Sequence, residues 1–422
     1  MLSEKIGDYY SRSSCRFCNS KNFKEIINFG YVPLAGAFIE KKDLQKEKFY
    51  PLEIIYCADC FLVQVKNVIS VDILFKEKYF FFSSAIGTLI GHFKKFANEI
   101  YSDFSSKSIT PTVLEIGCND GVLLKPLSDL GAYCVGVDPA ENVTKTIDKK
   151  NIKIYNDCFT KQVSLKIKKD FGRIDAIISC YSFAHIDDMQ DVMEGVNNLL
   201  KVEGILIFEL YYLGTLIENM QYDNIYHEHM SYYSILSIRK FLIKYEMEIF
   251  DIKFFPDIRS GATRFYVKNI KNKEKEKTSD YTKMLSYEQK KGFNDFTVLN
   301  NYANRIKKTK DQLIEILDKL KKKRKTIVGY GASGRGTTIM NYCNIDKKYI
   351  DYVIDDAPAK HGFYTPGTHV PIKPWNYTEE VGFPDYIILF AWAFIDEVLV
   401  KRKRYRSDGG KFIIPLPEVK IV

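Results

Sequence analysis

Four cysteines stand in two Cys-x2-Cys pairs, Cys15 with Cys18 and Cys57 with Cys60, separated by 38 residues. Each pair forms a tight turn that aims two thiolates at one ion, and two such turns close a tetrahedral sulfur site with no open position, so its role is structural. Zinc is the expected ion; iron in the same geometry, or four reduced core cysteines, are the competing readings. Further along, Val113–Gly121 puts Glu115 at a strand end ahead of Gly117 and Gly121, and Val135–Pro139 ends the next strand on Asp138. A turn with glycines four apart brings backbone against a ligand but lacks the Gly-x-Gly-x-x-Gly pattern that presents amides to a pyrophosphate, so a phosphate-free ligand is favoured. Asp138 is placed to accept from two ribose hydroxyls, and Asn156–Phe159, with Asp157 and Phe159, is where an adenine amine and ring face would be read. Finally, Tyr222–Ser234 concentrates four tyrosines and two of the six histidines around His227-Glu228-His229. That string fits a metal pair in extended backbone, a hydrogen-bonded cluster under a loop, or a general base, since histidine beside a carboxylate is the usual way to hold a base near neutral pH.

Positioning these groups requires several modules. A length of 422 residues implies two to four domains. Residues 1–68 carry both cysteine pairs and turn-like Asn28-Phe29-Gly30, and read as a small metal-stapled module; apolar residues at helical spacing follow up to about Asp103. Thr112–Ile116, Tyr133–Val137, Ala176–Ser179 and Ile205–Leu210 read as strands with helical segments between them, such as Gln190–Leu200, which predicts a parallel sheet across 69–272. Residues 273–321 are Lys-rich, with Leu299, Tyr302, Ile306, Leu313, Leu317 and Leu320 in helical register, and predict a long exposed helix between domains. From 322 to 422 a second α/β unit follows, with strands at Thr326–Val328, Tyr349–Ile354 and Tyr386–Phe390.

The Glu115–Gly121 turn, Asp138 and the string Ile177–Asp188, which includes His185, together resemble the class I S-adenosylmethionine-dependent methyltransferases. Over nearly the whole chain the sequence resembles the sugar C-methyltransferases that act on nucleotide-activated keto-deoxysugars. The matching strings are the four cysteines, Tyr79 with Ser83-Ser84 and His92, the Glu115 motif, Tyr226-His227-Glu228-His229, Tyr330-Gly331-Ala332-Ser333 and Tyr364–Thr368. The resemblance implies an N-terminal zinc-binding module, a central Rossmann-like methyltransferase domain and a C-terminal Rossmann-like α/β domain that holds the sugar nucleotide. It implies that a base removes the proton beside a ketone and that the enolate takes the methyl group. Carried over, His229 is the base, Glu228 its partner or a hydroxyl ligand, and Tyr79 a phenol near the enolate. Glu115, Gly117, Gly121 and Asp138 hold the cofactor, and Tyr226, His185, Arg264, Tyr330, Ser333, Thr365 and Thr368 the substrate. The sequence departs from the family at Ile258–Arg264, where His-Gly-Gly-Ser usually precedes the final arginine, and at Ala391-Trp392-Ala393, where Ala-Trp-Asn is usual.

Two other classes compete. Gly329-x-Gly331-x-x-Gly334, with Asp355 21 residues on, fits a dinucleotide fingerprint and hence a nicotinamide-dependent or bifunctional oxidoreductase. The net charge of +9 would suit a zinc-knuckle nucleic-acid methyltransferase, but the Lys clusters at 271–277 and 319–325 are aromatic-poor and read as solvated faces. Hydrophobic residues at 46% and charged at 27% exclude global disorder. No run reaches the ~18 apolar residues of a membrane span, and Met1–Tyr10 lacks the apolar stretch of a signal peptide. Cys118, Cys134, Cys158, Cys180 and Cys343 lie singly in apolar segments, as reduced core thiols do. A cytoplasmic enzyme, monomeric or a small homo-oligomer, with neither nucleic-acid nor membrane partner, is the expectation.

Overall fold

The computed structural model describes residues 7–76, 82–85, 87–106, 109–147 and 151–422. The N-terminal module is built on strands β1 (Tyr9–Ser11), β2 (Phe23–Val32), β3 (Tyr50–Cys57), β4 (Val63–Val65) and β5 (Asn67–Ile69). β2, β3 and β4 pair antiparallel in that order, and β1 pairs with β5. The turn-like Asn28-Phe29-Gly30 lies inside β2. The register slips between Asn28 and Tyr31, Asn28 Oδ1 accepts from the Gly30 amide at 2.8 Å, and Gly30 takes φ +78°. It is therefore a bulge that bends a strand, not a chain reversal.

Helix α1 (Gly87–Ser105) buries Leu89, Phe93, Phe96, Ala97, Ile100 and Phe104, a one-sided stripe that lies on the central sheet. Then β6 (Thr112–Ile116), α2 (Leu124–Asp129), β7 (Tyr133–Val137), α3 (Glu141–Thr144), β8 (Ile152–Tyr155), α4 (Lys161–Phe171), β9 (Ile174–Cys180), α5 (Met189–Leu199) and β10 (Leu200–Tyr211) alternate. The expected strands at Thr112–Ile116 and Tyr133–Val137 form at those bounds. After α6 (Leu213–Glu218) come β11 (Ser231–Tyr232), α7 (Ile235–Ile243), β12 (Met247–Phe255) and β13 (Ala262–Asn269). The central sheet runs β8-β7-β6-β9-β10-β13-β12, parallel except for β13. Strand order reverses between β6 and β9, and the crevice beyond their carboxyl ends is where such sheets take ligands. β11 does not join this sheet. It pairs with β4 and becomes the edge of the N-terminal one.

The Lys-rich segment is two helices, α8 (Ser279–Lys291) and α9 (Phe296–Lys322), rather than one exposed bridge. α9 buries all six expected positions, Leu299, Tyr302, Ile306, Leu313, Leu317 and Leu320, packing on β2 and on the first helix of the last domain. On α8, fully buried Glu288 accepts from the amides of Ile235 and Leu236 at 2.7 Å and thus caps α7 from outside. The last domain comprises β14 (Ile327–Tyr330), α10 (Gly334–Cys343), β15 (Val353–Ile354), β16 (Ile372–Lys373), α11 (Trp375–Val381), β17 (Tyr386–Leu389), α12 (Ile395–Lys401), α13 (Lys403–Ser407), β18 (Lys411–Ile414) and β19 (Lys420–Ile421). Its sheet runs β16-β15-β14-β17-β18-β19, with β19 alone antiparallel. The strand expected from Tyr349 starts only at Val353, because the amides of Tyr349 and Ile350 close a turn on the Asp346 carbonyl.

Candidate active site and metal centre

The two cysteine turns are built alike. The Asn19 amide donates to the Cys15 carbonyl at 3.0 Å and the Phe61 amide to that of Cys57 at 2.8 Å, and Asn19 and Phe61 both take positive φ, 60° and 72°. All four sulfurs lie within 4.8 Å of one another, with Cys15–Cys60 at 3.4 Å and Cys18–Cys57 at 3.5 Å. These spacings are far beyond a disulfide and near the roughly 3.8 Å edge of a tetrahedron with 2.3 Å zinc–sulfur bonds. The donor set therefore fits zinc.

At the carboxyl end of β6, Gly117 and Gly121 take φ +75° and +76°, and a methyl group built on Gly117 would run into Ser182. No side chain fits there. Asp138, at the end of β7, accepts from the Asn119 and Ala140 amides, both at 2.9 Å, so it braces the turn while each carboxylate oxygen keeps a further lone pair. Ser83 and Ser84 donate their amides to Asn119 Oδ1 and Asp120 Oδ2, which ties residues 82–85 to this turn. Glu115 is 3% exposed, and its Oε2 has no hydrogen-bond partner among the described residues. Burial, with Asp138 and Asp120 nearby, pushes its carboxyl far up. A buried carboxyl oxygen lacking a partner is a place for a hydrogen-bonding or cationic group of a ligand. Asp157 is exposed, its Oδ1 accepting from the Cys158 amide, whereas Phe159 is buried against Gly195 of α5 and its ring belongs to the core.

His229 lies across the crevice, 5% exposed, its ring 5.3 Å from that of His185 at 10°, 4.0 Å from Tyr226 and 5.2 Å from Tyr211. Its Nδ1 is 2.7 Å from the Asn224 carbonyl. A carbonyl only accepts, so Nδ1 carries the proton and Nε2 keeps its lone pair. Burial, then His185, Arg259 and Arg335, hold the imidazole well below its usual range, hence neutral. Burial raises the neighbouring Glu228 to about 7, and that carboxyl makes no hydrogen bond or ion pair among the described residues. His227 points away, with its Nε2 3.1 Å from the Pro51 carbonyl.

The C-terminal domain closes on the same string. Fully buried Asp223 takes Arg335 of α10 at 2.8 and 3.0 Å and Trp392 Nε1 at 2.7 Å. At the amino end of α10, Ser333 Oγ accepts from the Gly336 amide, and Lys360 Nζ sits on the glycine turn, 2.6 Å from the Ala332 carbonyl and 3.1 Å from Asp355. A loop of the N-terminal module completes the wall: a methyl group built on Gly36 would stand 3.8 Å from Glu228 Oε1, and one on Gly334 3.4 Å from Ala35.

The other substrate candidates separate. Arg264 does not reach this crevice: it is 1% exposed, pairs with Glu209 at 2.8 Å and Glu99 at 3.2 Å, and covers the Phe96 ring, with His92 on the same Glu209. Arg259, five residues earlier, faces the histidines instead, 4.2 Å over the Tyr181 ring. Sequence reading passed over it because only its neighbours had a pattern. Tyr330 donates to Asp356 and receives Arg402. Thr365 and Thr368 bond each other at 2.8 Å in a loop whose Gly367 amide is already taken by Glu47 of the N-terminal module. Tyr79 lies outside the described residues.

Three family models match: "Putative zinc binding domain" over residues 15–75, "Methyltransferase domain" over 90–250 and "C-methyltransferase C-terminal domain" over 257–417. The C-methyltransferase NovU of Streptomyces niveus is 28% identical over 410 residues, 97% of this chain and 96% of NovU. A ubiquinone biosynthesis O-methyltransferase of Pelagibacter ubique (strain HTCC1062) is 34% identical over 97 residues, 22% of this chain and 39% of its own. Among solved structures, the magnesium protoporphyrin IX methyltransferase of Synechocystis PCC 6803 with bound SAH aligns at a TM-score of 0.33 and 16% identity, over 42% of this chain and 83% of that one.

Proposed function

Since the chain belongs to the C-methyltransferase family that joins a zinc-binding module, an S-adenosylmethionine-dependent methyltransferase domain and a C-terminal C-methyltransferase domain, we propose that it methylates a carbon beside a ketone in a nucleotide-diphosphate-linked sugar, with His229 as the base that forms the enolate. The observation that carries this reading is the buried His229 ring: its proton is fixed on Nδ1 by Asn224, and its Nε2 has no hydrogen-bond partner among the described residues. Bound S-adenosylmethionine supplies an electrophilic methyl group on a sulfonium. A carbon becomes a nucleophile for it only once its proton has gone to a nearby neutral base.

Glu115 offers its unpartnered oxygen to the ammonium of the cofactor and Asp138 its spare lone pairs to the ribose. His229 Nε2 takes the proton, and Arg259, held over Tyr181, is a cation for the developing enolate oxygen. Tyr79 stays a candidate phenol for the same oxygen. Glu228, poised near neutral and walled by Gly36, binds a sugar hydroxyl or relays the proton. The diphosphate falls to the amino end of α10 with Lys360 and Arg335 beside it, since helix amides and fixed cations attract an anion. An oxidoreductase reading would set Asp355 on a ribose; like Asp138 it already accepts one donor on each oxygen, from the Ala357 amide and Lys360, and the NAD competition below separates the two readings.

The test is solvent exchange. A keto-sugar nucleotide incubated with enzyme and S-adenosylhomocysteine in deuterated water should take up deuterium beside the ketone, and the methylated product should carry a C–CH3 signal. His229→Ala should lose about 10²–10⁴-fold in turnover while still binding the cofactor. An O-methyl product, or full activity in His229→Ala, overturns the mechanism; saturable NAD binding that sugar nucleotides fail to displace would favour the oxidoreductase.

A further inference from the structure

We propose that the Cys15–Cys18 turn is a positioning device for the two stacked histidines, so that zinc sets the methyl-transfer step through Arg16, Gln64 and Phe17 while leaving cofactor binding alone. The geometric half stands on contacts already in the fold; the catalytic half rests on the reading of His229 given above.

Three contacts leave the metal turn and all end beside a histidine. The first runs through Gln64, a fully buried amide in β4. Its Nε2 donates to Cys15 Sγ at 3.2 Å, and its Oε1 accepts from the Arg16 amide at 3.2 Å and from Arg16 Nη1 at 3.1 Å. Gln64 is paired across the strands with Ser231, the Val65 amide donates to the Met230 carbonyl at 2.9 Å, and the Met230 amide donates to the Ala184 carbonyl at 2.7 Å. That last bond joins the residue after His229 to the residue before His185, and it fixes the stack. The second contact is Arg16 itself, 1% exposed, which reaches Asp187 at 3.0 Å, two residues past His185, and the Val65 carbonyl at 2.5 Å. Arg12 adds a second cation to Asp187 at 2.9 Å. The third is Phe17, stacked on Phe241 at 3.9 Å and 5.7 Å from Tyr233, whose hydroxyl donates to the Phe183 carbonyl at 2.7 Å.

The cofactor turn meets this segment at one point, Ser182, whose Oγ donates to the Gly117 carbonyl at 3.4 Å. Gly117, Gly121 and Asp138 touch Ser182, Ile147, Asn119 and Ala140, all within the methyltransferase domain. Metal loading thus acts on histidine placement through three contacts, and on the cofactor turn only through that one long hydrogen bond. Arg16, Gln64 and Asp187 act through the histidines and are positioning residues.

The experiment uses the full-length zinc-loaded protein and the variants Gln64→Leu, Arg16→Met, Arg16→Lys and Asp187→Asn. Zinc content, cofactor affinity by calorimetry, amide hydrogen exchange of peptides covering 182–188 and 226–233, and kcat and KM are read for each. Zinc content and cofactor affinity should stay at wild-type values. Exchange should quicken in those two peptides and not in β6–β9, and kcat should fall about 10–100-fold, as for a displaced base, with KM little changed. Arg16→Lys should recover part of the loss, and chelation of the wild type should reproduce the two-peptide pattern. Exchange that stays at wild type in both peptides, or that rises evenly over the whole sheet, overturns the proposal. So does cofactor affinity that falls in step with kcat. If His229→Ala proves fully active while the two-peptide response persists, the proposed function fails and the positioning role stands.

Discussion

His229 and Glu228 are adjacent in sequence and are pushed in opposite directions in energy by the same burial: the cation of one and the anion of the other are both disfavoured. The imidazole is held well below 6.5, with His185, Arg259 and Arg335 adding to the burial. It is thus deprotonated across the neutral range, and kcat should keep its plateau as pH falls through 6.5 and drop only further down. For Glu228 the folded carboxyl titrates near 7 against 4.5 unfolded. Its contribution to stability is full below pH 4.5 and is lost as pH rises through 7. Glu228→Gln should therefore stabilise the protein at pH 8 and not at pH 4, by at most about 3 kcal/mol; melting curves at the two pH values measure it. Asp138 separates two roles by substitution. Asp138→Asn keeps the shape and one of the two amide bonds, sets its NH2 against the other amide, and should weaken cofactor binding about tenfold. Asp138→Ala also strands the Asn119 and Ala140 amides and should lower stability by a further ~1–3 kcal/mol, read by denaturant titration.

Between elements, the strongest tie is the Asp223–Arg335–Trp392 junction that fastens α10 to the segment carrying His229. Arg335→Met leaves a fully buried carboxylate with only the indole and should cost about 3–5 kcal/mol, against ~1–3 for Asp223→Asn, which keeps an acceptor for both partners. Equal losses in urea melts would mean the charge is not what holds the junction. Elements such as β6, β7 and the buried stripe of α9 were legible because one period of hydrophobicity runs through each and both ends carry their own signals. The hairpin of β12 and β13 was not, since Met247–Phe255 mixes both periods and its pairing depends on β10. Of the candidate site, the cysteine cluster and the glycine turn were legible by type and spacing, because their geometry is local, whereas His229 was singled out by the family resemblance. Arg259 and the Gly36 loop were not, as each gains its meaning from residues outside its own segment, Tyr181 for Arg259 and Glu228 for Gly36. Arg264 carried a pattern but is consumed by Glu209 on the neighbouring strand.

Across the molecule, no helix among the described residues is long and apolar enough to cross a membrane. Chelation of zinc should lower the melting temperature of the whole protein in one transition, because the modules share a sheet and a core and not merely a linker; two separate transitions in calorimetry would contradict it. The shared sheet has a further consequence. β4 pairs with β3 on one side, but on the other its neighbour is β11, a strand written more than 160 residues later. A nascent chain that has emerged through residue 70 has its cysteines and most of its module, yet it shows solvent a bare β4 edge of buried-type residues until Tyr232 leaves the ribosome. Residues 7–70 made alone should therefore be sticky, and a peptide of residues 224–234 added to them should restore solubility by closing that edge. The histidine segment is therefore a structural part of the N-terminal sheet, and the module has no closed edge of its own on that side.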